Sequence, residues 1–155
     1  MIWVVVPYEE VIRWAKHRED LVIGDFGCGE ASLAPALNDR HVVHSFDHVA
    51  INKDVIAGDM SHTPLEDACL DVAVFSLSLM GSNFTDYIRE AHRTLKLDGL
   101  LLIWEARSRF EDPQVFTREL ERLGFRAHAE ERGPFLYIEA RKTERVPDST
   151  AALHF

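Results

Sequence analysis

A glycine turn and three aspartates are the features of this sequence best able to support chemistry. Gly27 and Gly29 follow an apolar run that contains Asp25, while Asp47 and Asp59 each end a later apolar run. Glycines after a strand let the backbone approach a ligand, and carboxylates accept hydrogen bonds or attract cations. If these runs are parallel strands, all five residues meet at one edge of a sheet. The pattern therefore predicts a cofactor site.

The residues around the turn indicate which cofactor it suits. A dinucleotide-binding turn reads G-x-G-x-x-G or Ala, but Ser32 stands at its third position, and Asp25 and Glu30 flank the glycines. Two carboxylates suit a pyrophosphate poorly, whereas S-adenosyl-L-methionine has no phosphate and carries an ammonium and a sulfonium. We therefore expect S-adenosyl-L-methionine. The alternative is that the glycines only turn the chain tightly.

The downstream acids are expected to bind the nucleoside part of this cofactor. Asp47 lies about 20 residues after the turn, where a carboxylate accepts hydrogen bonds from both ribose hydroxyls. Asp59 can receive the exocyclic amine of adenine, and the thioether of Met60 can pack on the ring. For each acid the alternative is a helix cap or a turn residue. Cys28, inside the turn, is interpreted as a small residue packing near the cofactor rather than as a nucleophile.

Apolar periodicity predicts the elements that position these residues. Helices are predicted over residues 7–18, 31–37, 84–95 and 112–123. Strands are predicted over residues 21–26, 41–47, 54–58, 70–79, 100–105, 125–130 and 135–140. Strands that alternate with helices and read as continuous apolar runs indicate a parallel sheet covered on both faces. The predicted fold class is therefore α/β, with a doubly wound, mostly parallel seven-stranded sheet that ends in a C-terminal antiparallel hairpin.

Composition limits the function further. A chain of 155 residues fits one domain, which we assign to residues 1–142, with residues 143–155 as a flexible tail. The formal net charge of −9 argues against a surface that grips nucleic acid unaided. No apolar run reaches the roughly 18 residues needed to cross a bilayer, so we expect no membrane partner. The two cysteines form no CxxC pair, which suits a reducing, intracellular compartment.

Three histidines invite a metal interpretation, which we do not favour. His41, His44 and His48 lie close together in the sequence. On a strand, however, residues 41 and 44 face opposite sides and cannot chelate one ion. No CxxC or HExxH motif accompanies them, so we predict no metal site.

The three tryptophans offer flat surfaces on which a base would be able to stack. They are Trp3, Trp14 and Trp104. Trp3 and Trp14 fall on apolar patterns that favour the core.

The order of motifs resembles the class I S-adenosylmethionine-dependent methyltransferases. The segment PLED at 64–67 stands before a predicted strand, and EAHRTLK at 90–96 stands before the turn at Asp98 and Gly99. A closer resemblance is to the nucleomethylin family of ribosomal RNA-processing methyltransferases. Four stretches carry it: DFGCGEA at 25–31, VHSFD at 43–47, LSLMGSN at 77–83 and SRFED at 108–112.

This resemblance implies a Rossmann-like sheet, with cofactor contacts at Gly27, Asp47, Asp59, Met60 and the main chain near Ser76. It also implies methyl transfer to N1 of an adenine in ribosomal RNA, in the nucleolus if the source is eukaryotic and otherwise in the cytoplasm. The family has a longer N-terminal helical extension with a basic region that reaches RNA, whereas this sequence enters its first strand almost at once. RNA is therefore the expected partner, contacted through a partner protein or a missing N-terminal extension. The alternatives are a small-molecule methyltransferase and a cofactor-binding module without turnover.

Methyl transfer depends mainly on positioning the nucleophile, so few residues are candidates for catalysis. Asn83, just past the fourth strand, is the candidate catalytic residue, because its amide can bond a base edge. The alternative is a helix cap before Phe84. Glu105 ends the fifth strand and is expected to face either the pocket or Arg107. The Asp/Asn-Pro-Pro-aromatic motif of exocyclic amino methyltransferases is absent after Leu77, which disfavours N6 chemistry.

Overall fold

The computed structural model describes residues 7–27, 33–47, 53, 55–79 and 83–155. Its helices are α1 (Pro7–Lys16), α2 (Leu33–Leu37), α3 (Phe84–Thr94) and α4 (Pro113–Arg122). Its strands are β1 (Val22–Phe26), β2 (Val42–Asp47), β3 (Val55–Ala57), β4 (Leu70–Ser76), β5 (Leu95–Ala106), β6 (Phe125–Arg132) and β7 (Phe135–Lys142). A short 3-10 helix, Arg107–Arg109, follows β5. None of the helices within these residues is long and apolar enough to cross a membrane.

The strands form one seven-stranded sheet in the order β3-β2-β1-β4-β5-β7-β6. Strand β1 pairs in parallel with β2 and β4, while β7 runs antiparallel to both β5 and β6. The predicted α/β class, the mostly parallel sheet and the C-terminal antiparallel hairpin are confirmed. Because β1 lies between β2 and β4, where the strand order changes direction, its carboxyl end is at the position where such sheets bind ligands.

Apolar side chains fill both faces of the sheet. The core on the side of α3 contains Phe26, whose ring stacks 5.0 Å from that of Phe75 and 5.3 Å from that of Phe46. The core on the side of α1 and α2 contains Ile23. Side chains alternate between faces along a strand, so Asp25 lies on the same face as Ile23, beneath α1.

Two strand boundaries differ by three residues or more from those expected from the apolar pattern, while the others agree to within two residues. Strand β4 ends at Ser76 rather than at residue 79, because Leu77 adopts the left-handed backbone conformation with φ 55°. Strand β5 begins at Leu95 rather than at residue 100, because Leu95 pairs with Leu70 ahead of a shift in register. The predicted turn at Asp98, where φ is 64°, lies within this irregular start. Hydrophobic periodicity does not depend on local backbone conformations of this kind, so it did not predict these two boundaries.

The end of the chain corrects the expectation of a flexible tail over residues 143–155. Ala151 and Leu153 are buried. The ring of Phe155 lies 5.0 Å from that of Phe110 and 5.4 Å from that of Phe116, between centroids. These residues belong to a short segment, AALHF at 151–155, that forms neither helix nor strand, so the search for periodic elements did not predict their burial.

Candidate active site

The turn after β1 accepts only glycine at position 27. Gly27 adopts φ +73°, and a Cβ built there would overlap the Cβ of Ser78. Its N–H donates to the carbonyl oxygen of Phe46 at 2.8 Å. The turn is thus packed between β2 and the segment that follows β4, with a bare backbone. The other predicted turn contacts, Cys28 and Gly29, lie outside the described residues.

Asp25 is fully buried at the carboxyl end of β1. The hydroxyl of Tyr8, on α1, donates to Oδ1 at 3.1 Å and lies 3.3 Å from Oδ2. Burial raises the pKa of Asp25 to about 7; the Tyr8 hydrogen bond opposes this rise, and the charge of Asp47 adds to it. A buried carboxyl with such a pKa is poised to ionise when a cation binds beside it.

Asp47 ends β2 on the same face of the sheet. Asp25 lies opposite Ser45 in the parallel register, and Asp47 follows Ser45 by two residues toward the carboxyl edge. Ser45 is buried, and its hydroxyl has no hydrogen-bond partner among the described residues. A buried hydroxyl without a partner next to two carboxylates marks a position where a ligand would complete the hydrogen bonding.

Asp59 and Met60 follow β3 but have different surroundings. Asp59 is exposed, and its Oδ1 accepts hydrogen bonds from Ser61 N at 2.8 Å and Ser61 Oγ at 2.6 Å. These bonds lower the pKa of Asp59, which is therefore ionised at neutral pH. Met60 is buried in the core cluster that contains Phe46. The structure thus shows the turn role for Asp59 that the sequence left open, while the second carboxylate oxygen, Oδ2, lies 3.6 Å from His62 Nδ1.

The segment after β4 is held by Glu105. The buried Glu105 carboxylate accepts a hydrogen bond from Leu79 N at 3.1 Å and from Arg109 Nη1 at 2.9 Å. Arg107, one of the two alternatives that the sequence left open for Glu105, instead donates to Glu131 Oε1 at 2.7 Å. Glu105 therefore positions the start of the LSLMGSN stretch, and the suggested pairing with Arg107 is wrong.

Within this segment, two serines stand next to the glycine turn. Ser76 ends β4, where it pairs in register with Trp104. Ser78 is buried against Gly27, and its hydroxyl has no hydrogen-bond partner among the described residues. Residues 80–82 lie outside those residues.

Asn83 immediately precedes α3, and the structure separates the two interpretations of it. Its side chain makes no capping hydrogen bond to the helix backbone. It shares a hydrogen bond with the side chain of Tyr87, one turn further along α3. Burial raises the pKa of Tyr87, and the charge of Asp59 contributes to the rise. Asn83 and Tyr87 therefore form a polar pair at the start of α3 that is close enough to Asp59 for its charge to affect the pKa of Tyr87.

His41, one of the three histidines considered for a metal site, makes hydrogen bonds that connect parts of the fold. His41 is buried; its Nδ1 accepts from Leu21 N at 3.1 Å, and its Nε2 lies 3.0 Å from the carbonyl oxygen of Ala15. It thereby joins α1 to the sheet. The described part of the chain contains no group of three or more His, Cys, Asp and Glu that could hold a metal ion. His48 lies outside it.

The residues around the Gly27 turn fit a cationic nucleoside cofactor. Two carboxylates, Asp25 and Asp47, and two hydroxyls without a hydrogen-bond partner among the described residues, Ser45 and Ser78, lie around the Gly27 turn. Carboxylates accept hydrogen bonds from ribose hydroxyls and an ammonium, and they oppose a pyrophosphate. This donor and acceptor set suits S-adenosylmethionine.

Sequence reasoning missed three residues that shape this site. Tyr8 had no recognisable signal, because it comes from a helix that precedes the first strand. Ser45 and Ser78 lay within the VHSFD and LSLMGSN stretches, but their burial depends on strand register.

Comparison with known proteins places the chain among methyltransferases. A family model described as a hypothetical methyltransferase matches residues 1–153. Ribosomal RNA-processing protein 8 of Caenorhabditis elegans is 42% identical over 147 residues, which cover 93% of this chain and 43% of the relative. The 25S rRNA (adenine(645)-N(1))-methyltransferase of Schizosaccharomyces pombe is 47% identical over 115 residues, covering 72% of this chain and 36% of the relative. The chain spans less than half the length of these curated relatives.

Solved structures share the fold. A TehB-like SAM-dependent methyltransferase from Corynebacterium glutamicum superposes with a TM-score of 0.70 at 19% identity, covering 88% of each chain. The 1,6-didemethyltoxoflavin-N1-methyltransferase of Burkholderia thailandensis, solved with 1,6-didemethyltoxoflavin and S-adenosylhomocysteine bound, has a TM-score of 0.69 at 19% identity. It covers 89% of this chain and 77% of its own. At such low identity the likeness shows the Rossmann-like fold alone.

Proposed function

The chain belongs to the family of hypothetical methyltransferases whose model it matches over residues 1–153, and we propose that it methylates N1 of an adenine in ribosomal RNA with S-adenosylmethionine as donor. The observation that carries the proposal is the buried Asp25 beside Asp47 and the bare Gly27 turn. The ribosomal RNA methyltransferase named among the relatives supports the choice of acceptor.

The cofactor contacts follow from the chemistry of each group. The Asp25 carboxylate and the backbone at Gly27 would hold the amino acid part, and Asp47 would accept the ribose hydroxyls. Asp59 and Met60 would bind the adenine, with the main chain near Ser76 closing the site. Cys28 and Gly29, outside the described residues, complete the proposed set.

Positioning is the main task of the chain's own residues. When bound, S-adenosylmethionine supplies a methyl group activated by its sulfonium. Adenine N1 attacks with a lone pair and needs no deprotonation, so no strong base is required. The Asn83 side chain makes no capping hydrogen bond to α3, and its amide would bond the edge of the base. Glu105 would keep the neighbouring segment in place through Leu79 N–H.

RNA contacts are proposed to involve more than this domain. The formal net charge of −9 opposes binding to a polyanion over the whole surface. A partner protein or an N-terminal extension would supply further cations. The names of the relatives, which refer to ribosomal RNA, support an activity inside the cell, and we propose the nucleolus for a eukaryotic source.

A methyl-transfer assay tests the acceptor. With unmodified ribosomal RNA, labelled S-adenosylmethionine and, in a parallel reaction, cellular extract, we expect one adenosine to acquire a methyl group at N1 that stops primer extension. Asn83→Ala should lower kcat by about tenfold, as expected for the loss of one hydrogen bond, while the affinity for S-adenosylmethionine stays unchanged. Asn38→Ala, at an exposed asparagine in the turn after α2, serves as the control.

Unmodified adenosines in both reactions, with the cofactor bound, would overturn the RNA assignment. Label found only in low-mass products would instead identify a small-molecule methyltransferase. Equal kcat for Asn83→Ala and Asn38→Ala would remove Asn83 from the mechanism.

Calorimetry with S-adenosylmethionine tests the proposed ribose contact. Asp47→Ala should weaken binding by about 30- to 150-fold, because two charge-assisted hydrogen bonds worth on the order of 2 to 3 kcal/mol are lost. Asp39→Ala removes the same charge from an exposed turn and should bind as wild type does. Equal affinities for the two variants would show that Asp47 does not contact the ribose.

A further inference from the structure

The connection between β3 and β4 carries the PLED stretch at 64–67. Residues 58–69 form turns and bends rather than a helix or a strand. Such a segment has no regular backbone ladder of its own, so its position depends on contacts with other elements. These contacts come from α3, on which the EAHRTLK stretch begins at Glu90.

The carboxylate of Glu90 binds the start of this segment. Glu90 is almost fully buried, and its Oε2 accepts hydrogen bonds from Thr63 N at 2.7 Å and from Thr63 Oγ1 at 2.6 Å. Arg93, one turn further along α3, donates to Glu90 through Nε at 2.6 Å and through Nη2 at 2.7 Å. Burial alone would raise the pKa of Glu90, but the bonds from Arg93 and Thr63 outweigh it and lower the pKa. The carboxylate is therefore ionised at neutral pH.

Arg93 extends these contacts along the PLED stretch. Its Nη2 donates to the carbonyl oxygen of Leu65 at 2.9 Å, and its Nη1 donates to Asp67 Oδ1 at 2.7 Å. The backbone N–H of Ala68 donates in turn to the carbonyl oxygen of Arg93 at 3.0 Å. Hydrogen bonds that involve a charged group are stronger than neutral ones. Glu90 and Arg93 thus fix the segment 63–67 at residues 63, 65 and 67.

The start of this segment is also a wall of the proposed adenine site. A small cavity at the end of β3 is lined by Asp59, Met60 and Thr63, together with Phe46 from β2. Asp59 and Met60 are the residues proposed to bind the adenine. The N–H and the hydroxyl of Thr63 both donate to Glu90, so Thr63 offers a ligand a surface rather than a donor. Glu90 does not line the cavity and reaches it through Thr63.

We propose that Glu90 is a positioning residue for the adenine end of the cofactor site. Together with Arg93 it fixes the segment 63–67, which keeps Thr63 at the distance from Asp59 and Met60 that the flat adenine ring requires. The inference rests on the proposed adenine contacts of Asp59 and Met60. It gives the PLED and EAHRTLK stretches a shared role, because both supply residues to one hydrogen-bond network.

Calorimetry with S-adenosylmethionine tests this role. Glu90→Gln keeps the size of the side chain but removes its charge and one of its acceptor oxygens, which loosens the segment 63–67. We expect the segment to adopt its binding arrangement about one-tenth of the time, which lowers the affinity about tenfold. The matched control is Glu119→Gln on α4, since Glu119 likewise pairs with an arginine three residues later, Arg122, at 3.0 Å, and lies outside the cavity. It should bind the cofactor as wild type does.

A double-mutant cycle with Thr63 separates positioning from a general loss of stability. Thr63→Val keeps the shape of the side chain, removes the hydroxyl that donates to Glu90 and should also weaken binding. Combined with Glu90→Gln it should weaken binding no further than Glu90→Gln alone, because both changes break the same contact. Thr63→Ser retains the hydroxyl and should bind as wild type does. Urea unfolding checks that each variant is folded under the conditions of the measurement.

Equal affinities of Glu90→Gln and Glu119→Gln would overturn the inference, as would additive losses in the cycle with Thr63→Val. If Asp47→Ala still binds more weakly than Asp39→Ala in that case, the proposed cofactor site stands without Glu90. If Asp47→Ala also binds as its control does, the cofactor site itself is misplaced and the inference fails with it. Should Glu90→Gln not fold, equal affinities of Thr63→Val and Thr63→Ser would decide against the inference.

Discussion

Asp25→Asn is expected to weaken S-adenosylmethionine binding by about 100-fold, since a charge-assisted bond in a buried site contributes up to roughly 3 kcal/mol. The asparagine keeps the size of the side chain and an acceptor for the Tyr8 hydroxyl, but it cannot carry the negative charge that attracts an ammonium. The change therefore isolates the charge from the shape. Calorimetry at about pH 8, where wild-type Asp25 is ionised, measures the loss of affinity.

The same substitution should stabilise the cofactor-free protein. Folding raises the pKa of Asp25 from 3.8 to about 7. Between these pH values the Asp25 carboxyl is therefore protonated in the folded state and ionised in the unfolded state. The free energy of unfolding of the wild type therefore falls as the pH rises from about 4 to about 7, and it stays low above that range. Asp25→Asn cannot ionise and so avoids this fall. It should raise the free energy of unfolding at about pH 8 by on the order of 2 to 4 kcal/mol.

Urea unfolding at about pH 4 and about pH 8 separates charge from packing, because only the higher pH ionises Asp25 in the fold. The gain should be present at the higher pH and nearly absent at the lower one. Asp39→Asn, at an exposed acid, should change neither value. A gain of equal size at both pH values would show that the substitution acts through packing instead.

Binding should carry the same pH signature. The affinity of the wild type for S-adenosylmethionine should fall as the pH drops below about 7, because ligand binding must then displace a proton from Asp25. Asp25→Asn should lose this dependence. An identical pH profile for both proteins would contradict the assignment of Asp25 to the ammonium.

Gly27→Ala is expected to abolish cofactor binding and to lower the free energy of unfolding. The left-handed φ of +73° costs an alanine about 1 to 2 kcal/mol, and the overlap with Ser78 adds about 1 to 3 kcal/mol of overpacking. The turn can escape the overlap only by moving away from the segment after β4. Urea unfolding and calorimetry measure the two losses.

A double-mutant cycle identifies the cause. Adding Ser78→Gly to Gly27→Ala removes the colliding Cβ and should recover the overpacking part, leaving the backbone part. Gly133→Ala is the control for left-handed backbone strain alone, since Gly133 has φ 58° in the turn between β6 and β7, outside the proposed cofactor site. If the changes in free energy of unfolding caused by Gly27→Ala and Ser78→Gly simply add, the Cβ of residue 27 does not collide with Ser78.

The sequence predicts the order of the elements and the edge at which the acids lie, because apolar runs and terminal aspartates are local signals. Asp47 at the end of β2 is an example. The state of Asp25 could not be predicted in the same way, since its pKa depends on burial under α1 and on Tyr8. The same holds for Glu105, whose contacts with Leu79 and Arg109 follow from how two strand ends meet.

Errors in the prediction arose where non-local packing decides the outcome. Phe155 packs against Phe110 although its segment forms neither helix nor strand. Trp104, with no periodic signal distinguishing its role, proves to be almost fully buried, and its Nε1–H has no hydrogen-bond partner among the residues that the structure describes. The environments of such side chains depend on contacts between elements that are distant in the sequence.

The central place of β1 has a consequence for how the protein is made. β1 lies between β2 and β4, and Gly27 packs against Ser78, so the cofactor site joins two parts of the chain that emerge from the ribosome at different times. Until β4 is synthesised, β1 has one open edge and Asp25 lacks its full burial. Parallel strands that pair over long sequence separations form slowly and expose apolar edges meanwhile. Cofactor present during synthesis should therefore raise the yield of native protein, because it binds only after the two halves have met.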